Sequence, residues 1–339
     1  MIITKAPFRM SFFGGGTDYP PFFAEHGGSV ISTTFDKYCY ISVRHLPRFF
    51  EYRNQLTYSQ IERVRHVDEL KHPMVRNAMK YLNMNELGIS YDADLPARSG
   101  LGSSSSFAVG LLQAFHALKG QYVDNYKLAK EAIYLERTLC AEDGGWQDQI
   151  AAAYGGFNRI DFEGDRFEVR PIIIKKERCE MLQQHLMLFF TGFSRVSSEI
   201  AKDQVKATQD KTAELKEMLK IVDEGERLLE DRHGNLDDFG RLLDYTWRLK
   251  RGLTNKISNS ALDEIYSAAM RNGALGGKLL GAGGGGFFLF YVPLAYQEAV
   301  RRTLSHLLYI PFAFENSGAQ ILYYQPEDYT GNDEGGNLE

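Results

Sequence analysis

The segment Pro96-Ala-Arg-Ser-Gly-Leu-Gly-Ser-Ser-Ser-Ser106 runs directly into Phe107-Ala-Val-Gly-Leu-Leu-Gln-Ala-Phe-His-Ala-Leu118. Apolar residues at Ala108, Leu111, Leu112, Phe115 and Leu118 recur at spacings of three and four, which predicts a helix over 103–118 with one buried face. Glycines ahead of it let the chain pass close to a ligand, and a helix start presents unpaired N–H groups at the positive end of its dipole. Such a site suits phosphate. One serine is enough to cap a helix. Four in a row, Ser103, Ser104, Ser105 and Ser106, point to a ligand as well.

Toward the amino terminus, strand-forming runs at 2–5, 29–35, 39–44 and 55–58 are separated by Gly, Pro and Asn. On the other side, Asp124 is placed to cap a second helix with the stripe Leu128, Ala132, Leu135 and Leu139. Residues 149–154 continue through Gly155-Gly156 into a hairpin over 157–169 that turns at Glu163-Gly164-Asp165. A buried strand is predicted at 185–190, followed by helices at about 196–230, 236–251 and 260–271. After the glycine-rich stretch 273–286 come a strand at 287–292, a helix near 294–307 and a last strand around 319–324. Strands and helices mix without strict alternation, so the expected fold class is α+β. The expected domains are 1–180 and 181–325, with a flexible acidic tail over 326–339.

Composition agrees with this division, because 339 residues at about 150 per domain make two. With 44% hydrophobic, 13% aromatic and 24% charged residues, the chain is an ordinary globular protein. Its net charge of −5 resides in the tail, whose five acidic residues have no basic partner; the body is near neutral and lacks the basic face of a nucleic-acid binder. Cys39, Cys140 and Cys179 are too scattered for a disulfide framework or a zinc site. No signal peptide or membrane-spanning run is read, so the expected location is the cytoplasm, with neither membrane nor nucleic acid as partner. Oligomeric state is not read from the sequence.

Two further glycine-rich segments need separating from better-known phosphate motifs. Asn272-Gly-Ala-Leu-Gly-Gly-Lys-Leu279 has Asn and Leu where a P-loop requires Gly and a hydroxyl. Gly281-Ala-Gly-Gly-Gly-Gly286 matches a dinucleotide fingerprint as a string but leads into a strand, not a helix. The third segment, Ala6-Pro-Phe-Arg-Met-Ser-Phe-Phe-Gly-Gly-Gly-Thr-Asp-Tyr19, reads alone as a strand ending in a glycine turn.

Together, residues 6–19, 96–106 and 278–286 resemble, in order, the three motifs of the GHMP small-molecule kinases. The resemblance implies a ribosomal-protein-S5-like amino-terminal domain and a ferredoxin-like carboxy-terminal domain, with ATP and substrate in the cleft between them. It implies an ATP phosphate cradle of Gly100, Leu101, Gly102, Ser103, Ser104, Ser105 and Ser106, and Mg²⁺ held by Ser104 and Glu136. Asp148, within Gly144-Gly-Trp-Gln-Asp148-Gln, looks like the catalytic aspartate, oriented by Arg9. Asp18, Gly15, Gly16, Gly283 and Gly284 are implied on the substrate side. Glu136 also stands out without any family argument, since a carboxylate flanked by Ala132, Ile133, Leu139 and Cys140 is costly unless paired.

Galactokinase-like members carry Glu-His before Thr-Asp-Tyr where this chain has glycines, and Phe8 replaces a glycine. These departures resemble the branch that phosphorylates the anomeric hydroxyl of D-glycero-D-manno-heptose 7-phosphate. A phosphorylated substrate needs a second anion site, for which Arg195, in Thr191-Gly-Phe-Ser-Arg195-Val-Ser-Ser198, is a candidate; Arg98, inside the cradle, is another but fits ATP equally well. Rival expectations are an anomeric kinase for free fucose or arabinose, a diphosphate decarboxylase on the same scaffold, and a nucleotide-binding regulator without catalysis.

Overall fold

The computed structural model describes residues 1–97, 99–192, 197–208 and 210–326. Arg98, Arg195 and most of the expected tail therefore lie outside the described residues.

A nine-stranded sheet is centred on the antiparallel pair Ile2–Phe13 and Gly28–His45. Across it the order is Gln320–Tyr324, Ile2–Phe13, Gly28–His45, Leu87–Ala93, Asn54–Thr57 and Ile61–Val64. The hairpin Phe157–Glu163 and Arg166–Pro171 adds to the amino-terminal part of Gly28–His45 and turns at the expected residues. The runs expected as two strands at 29–35 and 39–44 are one strand. Register moves from Pro7 against Tyr38 to Phe8 against Phe35, so the polar pair Asp36-Lys37 is accommodated as a bulge instead of ending the strand.

Helix Ser103–Leu118 starts and stops as its periodicity predicts and packs on the two central strands. Asp124 caps Asn125–Ile133 through its carboxylate, which accepts the Lys127 N–H at 2.7 Å. That helix continues as a π turn, Tyr134–Leu139. The wider turn takes Leu139 out of the regular stripe and leaves it half-buried, while Glu136 is fully buried.

The second sheet has the order Leu308–Ile310, Leu186–Gly192, Gly286–Tyr291, Gly276–Leu279, all antiparallel. In chain order that is four-one-three-two, the ferredoxin-like arrangement. Strand Gly286–Tyr291 is apolar throughout because both of its faces are covered: Phe287, Leu289 and Tyr291 join the main core, Phe288 and Phe290 a second core with Trp247 and Tyr266. Helices are found at Ser197–Ala207 and Thr212–Glu230, where one continuous helix was expected. The chain does not divide into two consecutive blocks. Phe314–Glu315 and Gln320–Tyr324 return to the first sheet, so the carboxy-terminal segment expected in the second domain completes the first.

Candidate active site

A cleft of about 1070 Å³ opens where the three glycine-rich segments meet. The strand Ile2–Phe13 carries Arg9 and Ser11 into it, and the turn beyond carries Gly15, Gly16 and Asp18. The start of helix Ser103–Leu118 forms another wall, with Gly100, Gly102, Ser103, Ser104 and Ser105. The second and third motifs touch through bare backbone: a Cβ on Gly100 would lie 2.4 Å from the Leu280 carbonyl oxygen, and one on Gly281 2.3 Å from Gly100 Cα. Both glycines have positive φ.

Among the described residues no side chain caps the helix start; its N-cap, Gly102, is left-handed. The first intrahelical bond runs from Ser106 N–H to the Gly102 carbonyl, so the N–H groups before it remain for a ligand. Two expected cradle residues point away. Leu101 is buried, its carbonyl accepting the Arg9 N–H, and Ser106 donates to the Pro7 carbonyl at 2.8 Å. Successive helical residues are about 100° apart, so four serines cannot share one face.

The same geometry shows that the hydroxyl bonded to Glu136, one of the two expected metal-holding residues with Ser104, is that of a neighbouring serine. Ser105 donates to Glu136 at 2.6 Å, whereas Ser104 is exposed at the mouth. Gln149 also donates to Glu136, and its own side-chain oxygen is buried without a partner among the described residues. Among the described residues no three His, Cys, Asp or Glu groups form a metal cluster. One buried carboxylate beside hydroxyl and amide oxygens nevertheless fits Mg²⁺, a hard cation that takes one or two carboxylates and completes its shell with phosphate and water.

Arg9 and Asp148 form a bidentate pair, Nε to Oδ1 at 2.7 Å and Nη2 to Oδ2 at 2.8 Å; Arg9 Nη1 donates to the Gly100 carbonyl. Asp148 stays 23% exposed and so open to the cleft. Asp18 is buried and accepts N–H groups from Gly16 at 2.9 Å and Gln147 at 3.4 Å. Burial pushes its carboxyl above the ordinary range, with Asp148 adding to the effect and the Gly16 N–H opposing it. Gly145 makes this fit possible, since a Cβ there would overlap Asp18 Oδ2 at 1.7 Å. Arg137 shapes that loop by donating to the carbonyls of Glu142, Asp143 and Gly145.

Gly283 and Gly284, expected to touch substrate, back onto Ile257 instead, and Gly281 and Ala282 line the cleft. At its far end Tyr58, His72, Tyr91 and Phe107 make an aromatic recess, with His72 centred 5.2 Å from Tyr58 and 5.4 Å from Phe107. Two lining lysines escaped the sequence reading: Lys250 and Lys278, both buried. Lys250 had a usable signal. It falls three residues after Trp247 on the apolar stripe Phe239, Leu243, Trp247, a costly place for a charge.

Comparisons with known proteins agree with this geometry. Residues 70–156 match the family model for the GHMP kinases N-terminal domain, and residues 226–310 that for the GHMP kinases C-terminal domain. A D-glycero-alpha-D-manno-heptose 7-phosphate kinase of Campylobacter jejuni is 30% identical over 94% of this chain and 98% of its own length. The bifunctional fucokinase/GDP-fucose pyrophosphorylase of Arabidopsis thaliana is 26% identical over 84% of this chain, which spans 29% of that longer protein. Among solved structures, a protein described as a D-glycero-D-manno-heptose 1-phosphate kinase from Bacteroides thetaiotaomicron superposes with a TM-score of 0.71 at 25% identity, over 95% of this chain and 99% of that one. With models matching both halves and a relative matched along nearly its full length, the chain belongs to the GHMP kinase family.

Proposed function

We propose that this kinase transfers the terminal phosphoryl group of ATP, with Mg²⁺, to the anomeric hydroxyl of D-glycero-D-manno-heptose 7-phosphate, giving the 1,7-bisphosphate used for nucleotide-activated heptose and surface glycans. The observation that carries the phosphoryl-transfer reading is the uncapped start of helix Ser103–Leu118 lying directly beside the Arg9–Asp148 pair in one cleft. The Campylobacter relative supports the choice of sugar.

In this reading the nucleobase enters the aromatic recess, where the buried His72 Nδ1 has no partner among the described residues. The N–H groups of residues 103–105 and the Ser103 and Ser104 hydroxyls hold the phosphates by dipoles already in place, so little reorganisation is needed during transfer. Glu136, held by Ser105 and Gln149, and Ser104 would supply oxygen ligands to Mg²⁺, which when bound offsets phosphate charge. Asp148 accepts the proton of the anomeric hydroxyl as its oxygen bonds to phosphorus and the bond to the ADP oxygen breaks; Arg9 keeps the carboxylate turned toward that hydroxyl. Asp18 bonds sugar hydroxyls, and Gly15, where a Cβ would meet nothing closer than 3.7 Å, leaves room for a bulky sugar.

The test is a panel of aldoses with and without a terminal phosphate, assayed by ADP release. The heptose 7-phosphate should exceed free sugars in kcat/KM by about 10,000-fold, the order expected when a site built for a polar group meets an analogue lacking it. Preference for free fucose would replace this reading with the second one, which the fucokinase relative favours. ATP binding without transfer to any sugar would leave the regulator reading.

A further inference from the structure

Lys250 and Lys278 are buried lysines lining the cleft, 6% and 2% exposed. Among the described residues neither has a carboxylate partner. Lys278 Nζ donates to the Phe12 carbonyl at 2.9 Å, and Lys250 Nζ to the carbonyls of Leu279, at 3.2 Å, and Gly281. An ammonium has three N–H donors, so both retain capacity that no described group uses. Ser11, one residue before Phe12 and 5% exposed, has a buried hydroxyl without a partner among the described residues at the same wall. Arg9 is matched by Asp148, which leaves two ammonium groups against the single carboxyl of Asp18. A buried surplus of positive charge is costly unless a ligand supplies the counter-charge.

We propose that Lys250, Lys278 and Ser11 form an anion site at the floor of the cleft that takes a phosphoryl group, presented either by the acceptor's phosphate ester or by the terminal phosphate of the nucleotide. The lysines hang from the first and third motifs, so this site is separate from the serine-lined helix start. Burial, and after it the charge of Arg9, draws Lys250 down to about 8; burial, then the charge of Lys250, draws Lys278 well below the ordinary lysine range. An arriving phosphoryl dianion reverses both penalties, so the site becomes fully charged as it fills. This goes beyond the kinase reading in assigning the residues, and rests on it only for the identity of the phosphate carrier.

The test uses Lys250→Met and Lys278→Met, with Lys250→Gln and Lys278→Gln as variants that keep an N–H donor for the carbonyls. Inorganic phosphate, without nucleotide or sugar, should raise the melting temperature of the unaltered protein, and this rise should shrink in every variant. Without phosphate the Met variants should melt no lower than the unaltered protein, because an unpaired buried charge has been removed; a purely structural role predicts the reverse. In steady-state assays KM for one phosphate-bearing substrate should rise about 10–100-fold, the range for a lost charge-assisted bond. A rise for the phosphorylated sugar but not ATP assigns the acceptor's phosphate; a rise for ATP assigns the nucleotide's. No response of the unaltered protein to phosphate, an undiminished response in the folded variants, or unchanged KM for both substrates overturns the proposal. If phosphorylated sugars prove not to be substrates, the heptose reading fails while the phosphate and ATP measurements still decide the lysine site. Should a Met variant fail to fold, its Gln counterpart is scored by the same criteria.

Discussion

The two walls of the cleft hold charge by different means. Along residues 99–105 the working groups are main-chain N–H and serine hydroxyls, with one carboxylate, Glu136, held beneath them by Ser105 and Gln149. Beside and beyond them stand full charges: Arg9 on Asp148, directly against the Gly100 carbonyl, Asp18 in its glycine loop, and Lys250 and Lys278 hung from carbonyl oxygens. A dipole wall suits a partner that must bind and leave repeatedly, because it imposes no fixed charge on the empty cleft. A wall of buried charges is costly when empty and strongly directional when filled. On the proposed reading, nucleotide handling falls to the first wall and the chemistry of the acceptor to the second.

The sharpest way to break that assignment is Asp148→Asn. Loss of the proton acceptor should lower kcat about 1000-fold, within the range for general-base groups, while KM for ATP changes less than about twofold. A matching loss of nucleotide affinity would mean that Asp148 belongs functionally to the first wall. Next in size is the seam where the walls meet. Gly281→Ala places a Cβ against Gly100 at positive φ and should cost about 3 kcal/mol or more in urea unfolding. Gly120→Ala, at positive φ in open space, should cost only about 1 kcal/mol.

A smaller effect is expected on the dipole wall itself. Ser105→Ala removes the hydroxyl that fixes Glu136 and should raise the Mg²⁺ concentration for half-maximal activity about tenfold, as for lost support of a metal-holding carboxylate. Saturating Mg²⁺ should restore the rate. An unchanged Mg²⁺ response would detach Glu136 from metal handling.

The charged wall should also leave a signature on stability with no ligand present. Lys250 titrates at about 8 in the folded protein and near 10.5 when unfolded, so between those values the unfolded chain binds more protons. Folding is therefore favoured progressively as pH rises through this window, by at most about 3 kcal/mol for this group. The stability of the unaltered protein relative to Lys250→Met should climb from pH 8 to pH 9.5 in phosphate-free buffer. A flat or falling difference would show that Lys250 is not held at a penalty.

Much of this could be read along the chain. Helix Ser103–Leu118, the Asp124 cap and the turn at Gly164 depend on neighbours a few residues away, and periodicity and capping report such neighbours directly. The Arg9–Asp148 pair was found because each residue lies in a recognisable motif, although 139 positions separate them. Other features left no local trace. That Ser105 rather than Ser104 meets Glu136 depends on how a π turn rotates one helix toward another. The return of Gln320–Tyr324 to the edge of the first sheet depends on an unpaired edge left by a strand more than 300 residues earlier.

Backbone propensity, glycine placement and hydrophobic spacing were enough to indicate an α+β fold with an anion-ready helix start, because each acts over one or two turns of chain; the kinase expectation came from the resemblance of three motifs to the GHMP family. Which serine serves the carboxylate, which glycines touch ligand and which lysines lie at the floor of the cleft emerged with the packing of distant segments. Burial and charge pairing are properties of what surrounds a group in space, and those surroundings do not exist until the fold has assembled them.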